Sequence, residues 1–219
     1  LTLKDIPCGK YGTLDKYVPD GDYVVIKFAR WAFEKFKGVE DKLGTQMRAV
    51  GEVMSIGKTY KEAFQKAIRS LEIGQYGLGY AKNFNELTKE ELLQKLTVPT
   101  SQRQFIMYEA LRKGATVEEL FELTQIKHYF IEQMKELVEE EEKIASYKGQ
   151  QLPDNVLKQA KQDGFADKYI SKLLDVEEKD IRNQRLAMGM HQVWEPVHVS
   201  STKDSSYYYS TYNGKDQDE

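Results

Sequence analysis

Hydrophobic residues recur at intervals of three and four through the middle of the chain, the spacing that places them on one face of an α-helix. Two helix starts are marked by Thr88 with Glu91 and by Thr116 with Glu119, pairs in which each residue can cap the other's backbone N–H. The longest pattern covers 126–147 and includes Ile126, Phe130, Met134, Leu137, Val138 and Ile144. The chain from about residue 86 is therefore predicted to be all-helical.

The first part of the chain shows a different pattern. Runs of β-branched and aromatic residues at 23–28 and 50–56 predict two strands. A helix over 59–73 follows at once, because Thr59 and Glu62 form a further capping pair. Residues 1–21 are rich in turn residues and are expected to form a covering loop. These signals predict a small α/β unit before the helices.

Two glycines punctuate the second predicted strand. Gly51 and Gly57 indicate backbone angles or close approaches that a Cβ would block, and Glu52 follows the first of them. We interpret Gly51, Glu52 and Gly57 as a structural loop at a strand-turn-helix junction. The polar residues close to this apolar strip leave a second interpretation open, in which the loop lines a site.

Two places in the sequence are candidates for anion binding. Arg30 is a candidate, although stacking on Trp31 or pairing with Glu34 would occupy its guanidinium equally well. The glycine-rich segment 74–79 is superficially similar to a phosphate loop, but it follows a helix instead of a strand. We therefore expect a helix C-cap and a flexible exit there.

The later helices raise the question of a metal site. Four adjacent glutamates at 139–142 point around a helix, which favours a solvated face over a set of metal ligands. Gly164 is expected to end the next helix, and the last helix is expected to be opened by Asp175 and Glu178 and to run towards Gly189.

Composition changes this picture little. The chain has 219 residues, 40% of them hydrophobic, and a net charge of −3, which gives no electrostatic reason to expect nucleic acid or an anionic membrane as partner. No apolar run is long enough to span a bilayer. A single cysteine, Cys8, cannot form an internal disulfide, which fits a reducing, cytoplasmic location. The chain begins without Met and is interpreted as an interior piece of a longer protein.

Motifs that carry chemistry are absent from the sequence. There is no phosphate-binding or zinc-binding signature, and His128, His191 and His198 are too scattered for metal-ligand spacing. The tyrosine-rich segment 207–212 could stack on a base, but few basic residues surround it. We therefore predict no catalytic, cofactor-binding or metal-binding residues in this chain.

Several blocks of sequence occur in an order that resembles a known family. The residues at 31–36, 44–47, 51–57 and 67–72 read WAFEKF, GTQM, GEVMSIG and AIRSLE. They resemble the end of the first, carboxyphosphate-forming ATP-grasp unit in the large subunit of carbamoyl phosphate synthetase. Further along the chain, blocks at 108–112 and 160–168 resemble the helical oligomerisation domain that follows it.

The resemblance implies a domain organisation. Residues 1–80 would be the C-terminal part of the first ATP-grasp domain, 86–190 the oligomerisation domain, and 191–219 a linker towards the second synthetase unit. The implied fold class is mainly α, an all-helical module preceded by a small α/β remnant. Phe28-Ala29 departs from the isoleucine-proline pair of the family, so the residues there are not carried over.

The resemblance also implies an activity for the parent protein. That enzyme makes carbamoyl phosphate, for arginine and pyrimidine synthesis, from bicarbonate, two MgATP and ammonia released from glutamine by an amidotransferase small subunit. K⁺ is a possible further cofactor, and the helical domain implies self-association. Met54 is at a position that resembles a wall of the ammonia tunnel, with plain core packing as the alternative. The nucleotide-binding residues of the family would precede Leu1, so this chain alone is expected to be inactive.

Two other classes of protein share some of these sequence features. A stand-alone helical protein-interaction module would show the same periodicity. A helix-turn-helix DNA-binding module would resemble 166–185, but Glu177, Glu178 and Asp180 would place negative charge where phosphates lie. We expect no nucleic-acid role.

Overall fold

A computed structural model describes residues 1–18, 21–31, 33–35, 38–47, 49–198 and 207–214. Strand β1 (Val24–Trp31) pairs antiparallel with strand β2 (Ala49–Gly57), and the register is interrupted between Arg30 and Trp31. Helix α1 (Tyr60–Ser70) begins directly after β2. Both predicted strands and the helix that follows them are therefore confirmed.

Seven further helices form the rest of the described chain before the tail. They are α2 (Lys89–Leu96), α3 (Arg103–Arg112), α4 (Val117–Thr124), α5 (His128–Ala145), α6 (Asp154–Gln162), α7 (Asp167–Leu174) and α8 (Glu178–Ala187). Short 3₁₀ turns account for the regular structure of residues 1–18, most of which are exposed. The fold is mainly helical with a small strand component, as predicted.

The helix starts follow the predicted capping chemistry. Thr88 and Thr116 each accept a hydrogen bond from the backbone N–H three residues later, and Glu91 and Glu119 return the contact. The last helix differs from the prediction. Asp175 does not open it but ends α7 in the left-handed conformation, with φ of +60°, and α8 starts only at Glu178. The backbone of Asp175 is thus a helix stop, which a short polar side chain tolerates.

One hydrophobic core joins the strand unit to the helices. Its members come from α1 and from every later helix, and partly buried residues of both strands pack against it. Its largest fully buried side chains are Tyr108, Phe165, Ile68, Leu78, Leu92, Met107, Leu120, Ile131, Leu137, Ile144, Leu157 and Ile170. The core therefore contains residues from both sides of the predicted boundary at 80–86.

The described part of the tail forms a second small sheet. Strand β3 (Val193–Pro196) pairs antiparallel with strand β4 (Tyr208–Thr211). Lys66 of α1 donates to the carbonyl oxygen of Ser210 at 2.7 Å, so the hairpin is attached to the first helix. Residues 199–206 and 215–219, which belong to the predicted linker, lie outside the described residues.

Candidate functional site

The junction between β2 and α1 is held by a buried carboxylate. Thr59 accepts a hydrogen bond from the Glu62 N–H at 3.2 Å, and Glu62 Oε2 accepts from the Lys58 N–H at 2.8 Å. A Cβ at Gly57 would lie 2.9 Å from the backbone nitrogen of Ala63. Gly57 therefore allows a close approach to the backbone of α1. Thr59 caps the helix as predicted, but the Glu62 carboxylate accepts from the N–H of Lys58 and not from that of Thr59.

The other residues of the predicted loop lie in regular structure. Gly51 and Glu52 belong to β2, and a Cβ at Gly51 would meet only the Arg30 Cβ at 4.0 Å. Within this chain, the position of Gly51 therefore does not require a glycine, because the extended strand leaves room for a side chain there. Glu52 forms an exposed ion pair with Lys27 on the neighbouring strand at 3.0 Å.

Met54 lies on the surface of the two-stranded sheet. Its side chain is 68% exposed, and Met54 is opposite Lys27 in the register. Residues of the opposite sheet face, Phe28 and Val53, pack against the hydrophobic core. Met54 therefore lies outside the core that the described residues form, and its role stays a prediction.

Arg30 contacts the end of a helix. Its guanidinium donates to the carbonyl oxygen of Leu71 at 2.5 Å and to that of Glu72 at 3.4 Å. The last carbonyls of α1 have no intrahelical partners and carry negative partial charge, so a cation is favourable there. Arg30 therefore stabilises the helix end, whereas the side chain of Glu34, its expected partner, lies outside the described residues.

A buried ionic cluster lies between α3, α5 and α7. Glu141 is fully buried, and its carboxylate accepts hydrogen bonds from the hydroxyl of Tyr108 at 2.5 Å and from that of Tyr169 at 2.8 Å. The guanidinium of Arg112 donates to the other carboxylate oxygen. Arg112 also contacts Glu109 at 3.0 Å. We call Tyr108, Glu109, Arg112, Glu141 and Tyr169 the Arg112 cluster.

The prediction of a solvated acidic face is wrong at Glu141. Glu139 and Glu142 are exposed, but Glu141 is buried beside Arg112. Its position contains the signal that the interpretation missed. Glu141 follows Leu137 by four residues and Val138 by three, so it lies on the apolar face of α5.

The glycine-rich segment packs directly on this cluster. A Cβ at Gly77 would lie 2.7 Å from the Tyr169 ring, and one at Gly79 would overlap the Arg112 guanidinium and the Glu141 carboxylate. The N–H of Tyr80 donates to Glu109 at 2.7 Å. The expected flexible exit is therefore wrong, because Gly77 and Gly79 are buried and need to be glycine for steric reasons.

Burial sets the protonation behaviour of the cluster. It raises the pKa of the Glu141 carboxyl, although Arg112 and the two hydroxyl donors oppose this effect. The pKa of the Tyr108 and Tyr169 hydroxyls lies well above the usual value for the same reason, with the Glu141 charge adding to it. Both tyrosines therefore stay protonated and act as donors to the carboxylate.

A second ionic cluster lies where the tail meets the helices. Lys161 is buried and contacts Asp167 at 2.6 Å, and Arg185 contacts the same carboxylate at 3.1 Å. Tyr212 places its ring 5.0 Å from the Lys161 ammonium. Burial lowers the pKa of Lys161 to about 8, against the opposing effect of Asp167. The tail is therefore attached beside two cations that share one carboxylate.

The histidines that the structure describes do not lie together in one site. His128 stacks on Phe121 with ring centroids 4.1 Å apart and lies 2.8 Å from a carboxylate oxygen of Glu118. His191 and His198 lie in the tail. Within the described residues, no group of three or more His, Cys, Asp or Glu side chains could hold a metal ion. None of the helices described is long and apolar enough to cross a membrane.

The fold defines a helical module on which a strand pair packs and to which a tail hairpin is hydrogen-bonded. A family profile described as "Carbamoyl-phosphate synthetase large chain, oligomerisation domain" matches residues 52–189. The chain belongs to the carbamoyl phosphate synthetase large-chain family.

Individual relatives agree with this assignment. The carbamoyl phosphate synthase large chain of Archaeoglobus fulgidus is 40% identical over 99% of this chain. That of Pseudomonas aeruginosa is 39% identical over 95% of it. The N-terminal section of the large chain from Methanopyrus kandleri is 40% identical over 91% of it. The chain spans 21%, 20% and 38% of the length of these three relatives, respectively.

Proposed function

We propose that this chain serves as the connecting scaffold in the large subunit of a glutamine-dependent carbamoyl phosphate synthetase. The complete enzyme would form carbamoyl phosphate in the cytoplasm from bicarbonate, two MgATP and ammonia, with K⁺ as a further cofactor. An amidotransferase small subunit would release the ammonia from glutamine. The helices would also contribute to self-association, which the family's description as an oligomerisation domain supports.

The observation that carries this proposal is the single core shared by the strand unit and the helices. Phe64 and Ile68 of α1 belong to the same buried cluster as Leu157 and Ile170 of the later helices. A scaffold must hold its neighbours at a fixed distance, and a densely packed interior transmits position with little compliance. The chain matches its relatives along nearly its whole length, so the same residues support both the fold and the family.

We propose that this chain alone is not catalytic. Its buried acids among the described residues, Glu62, Glu109, Glu141 and Asp163, all accept hydrogen bonds from internal donors. A general acid or base must be able to exchange a proton with substrate, and these carboxylates are committed to structure. We infer that nucleotide chemistry takes place elsewhere in the complete enzyme.

A direct test is titration of MgATP into the purified 219-residue chain by calorimetry. We expect no heat of binding and no bicarbonate-dependent ATP hydrolysis. Stoichiometric uptake of MgATP, or turnover, would contradict the scaffold role.

Met54 is the residue that we propose as part of the ammonia tunnel wall. It is exposed on the outer sheet face, so a neighbouring part of the complete enzyme could enclose it. A thioether is apolar and offers no strong hydrogen bond that would retain ammonium.

The tunnel is tested in the complete enzyme with the variants Met54→Glu and Met54→Leu. A carboxylate in the wall would hold ammonium, so Met54→Glu should lower glutamine-dependent synthesis roughly tenfold and leave synthesis from external ammonia less affected. Met54→Leu, which is close in volume and uncharged, is the matched control and should retain both activities. Equal retention of both activities in Met54→Glu would exclude the tunnel role.

A further inference from the structure

A pocket of about 170 Å³ lies between α1, the starts of α7 and α8, and the tail. Pockets for drug-sized ligands hold roughly 300 Å³ or more, so this one suits only a small ligand. Its lining is mostly polar and comes from several separate segments of this chain, so its walls do not depend on a neighbouring part of the enzyme. The lining residues are Glu62, Lys66, Arg69, Lys161, Gly164, Phe165, Ala166, Asp167, Glu178, Gln192 and Tyr212.

Two cations of α1 in this pocket have only neutral partners at contact distance. Lys66 donates to the carbonyl oxygens of Ile56 at 2.5 Å and of Ser210 at 2.7 Å. Arg69 donates through one nitrogen to the carbonyl oxygen of Gly164 at 2.5 Å, and its other N–H groups have no hydrogen-bond partner among the described residues. Neither cation forms an ion pair with a described carboxylate. Burial lowers the pKa of both groups, so an anion in the pocket would stabilise their charged forms.

The acids of the pocket do not neutralise these cations. The Glu62 carboxylate accepts hydrogen bonds from two other donors of the chain and acts on the cations of α1 only from a distance. Asp167 is shared by Lys161 and Arg185. Glu178 is exposed to solvent. The pocket and its immediate surroundings therefore keep a positive charge that an anion would balance.

The start of α7 adds backbone donors to the same pocket. The N-cap residue of this helix is Ala166, whose side chain cannot accept a hydrogen bond. The N–H groups of Asp167 and Lys168 make no hydrogen bond within the described part of the chain. Ala166 and Asp167 both line the pocket. Free N–H groups and the positive end of the helix dipole favour an anion at this place.

We propose that this pocket binds a small oxyanion of the phosphate type, held by Lys66, Arg69 and the first N–H groups of α7. A guanidinium can donate to two oxygens of such an ion, whereas chloride offers it no such pair. The small volume and polar lining favour a free ion over a nucleotide or a peptide. Because Lys66 also holds the carbonyl oxygen of Ser210, the bound ion would join α1, α7 and the tail. This site goes beyond the scaffold role and does not depend on it.

The test is hydrogen exchange of the complete large subunit, read by mass spectrometry in sodium phosphate and in sodium chloride of equal ionic strength. We expect phosphate to slow exchange in the segments 165–170 and 207–214, because the ion accepts from the start of α7 and fixes the tail. Sulfate should act in the same way. A segment-by-segment measurement separates this site from phosphate bound elsewhere in the enzyme.

Two outcomes would overturn the site. Equal exchange rates of these segments in phosphate, sulfate and chloride would show that no oxyanion binds. Slow exchange at 165–170 already in chloride would show that another part of the enzyme fills the pocket.

Variants test the assigned residues through the phosphate concentration that gives half of the protection. Arg69→Gln should raise this concentration at least roughly tenfold, whereas Arg182→Gln, at an exposed position of α8, should change it less than about twofold. Because Arg69 also holds Gly164, Arg69→Lys keeps the charge and should give a smaller rise. Lys66→Gln should raise the concentration as well. Unchanged half-protection in the Arg69 and Lys66 variants would overturn the assignment.

Discussion

The Arg112 cluster allows a sharp prediction, because two adjacent glutamates contact the same arginine in different surroundings. Glu141 is completely buried, whereas the side chain of Glu142 is 55% exposed and lies 2.8 Å from Arg112. The change Glu141→Gln keeps the shape and one acceptor oxygen but removes the charge. Its new N–H donors would face the guanidinium, which is itself a donor.

The expected cost follows from burial. Breaking a buried ion pair by removing one partner costs about 3–5 kcal/mol, because the remaining charge is left in a poorly solvated site. Arg112 keeps Glu109 as a buried partner in Glu141→Gln. We therefore expect this variant to lose free energy of unfolding near the lower end of that range, about 3 kcal/mol. Glu142→Gln breaks an exposed contact of the same arginine and should cost less than about 1 kcal/mol.

The measurement is equilibrium urea unfolding of the 219-residue chain, followed by far-ultraviolet circular dichroism. The urea midpoint of Glu141→Gln should fall with an unchanged slope, and the midpoint of Glu142→Gln should stay close to that of the parent chain. Similar midpoints for the two variants would refute the argument, because they would show that burial of the carboxylate adds nothing to the free energy of unfolding.

Two further predictions test steric and ionic features of the same core. Gly79→Ala should lower the free energy of unfolding by about 1–3 kcal/mol, since its Cβ overlaps the Arg112 cluster, whereas Gly44→Ala, which meets nothing within 4 Å, should not lower it. Lys161 has a pKa lowered to about 8 in the folded chain, so the unfolded chain binds more protons above that pH. The contribution of Lys161 to the free energy of unfolding should therefore rise from about pH 8 to pH 10.5, and Lys161→Met should remove this rise. The measurement is urea unfolding of both chains across this pH range. A difference in unfolding free energy that stays constant with pH would show that the reasoning is wrong.

Local structure was largely predictable from the residues. Thr88 with Glu91 and Thr116 with Glu119 mark helix starts because a cap involves only residues within one turn. The runs at 23–28 and 50–56 predicted strands because alternation along a few residues is enough to define them. Asp175 was misassigned because the same short polar side chain can cap a helix start or adopt the left-handed backbone that ends a helix.

The order of sequence blocks by itself determined the family, and periodicity by itself determined that the chain is mainly helical. Only the tertiary structure decided which polar groups are buried. Glu141 had the periodicity of a core position, but its partners Arg112 and Tyr169 come from other helices, and a carboxylate is buried only where such donors meet it. The same holds for Gly79, because the side chains that its Cβ would meet belong to segments that are distant in sequence.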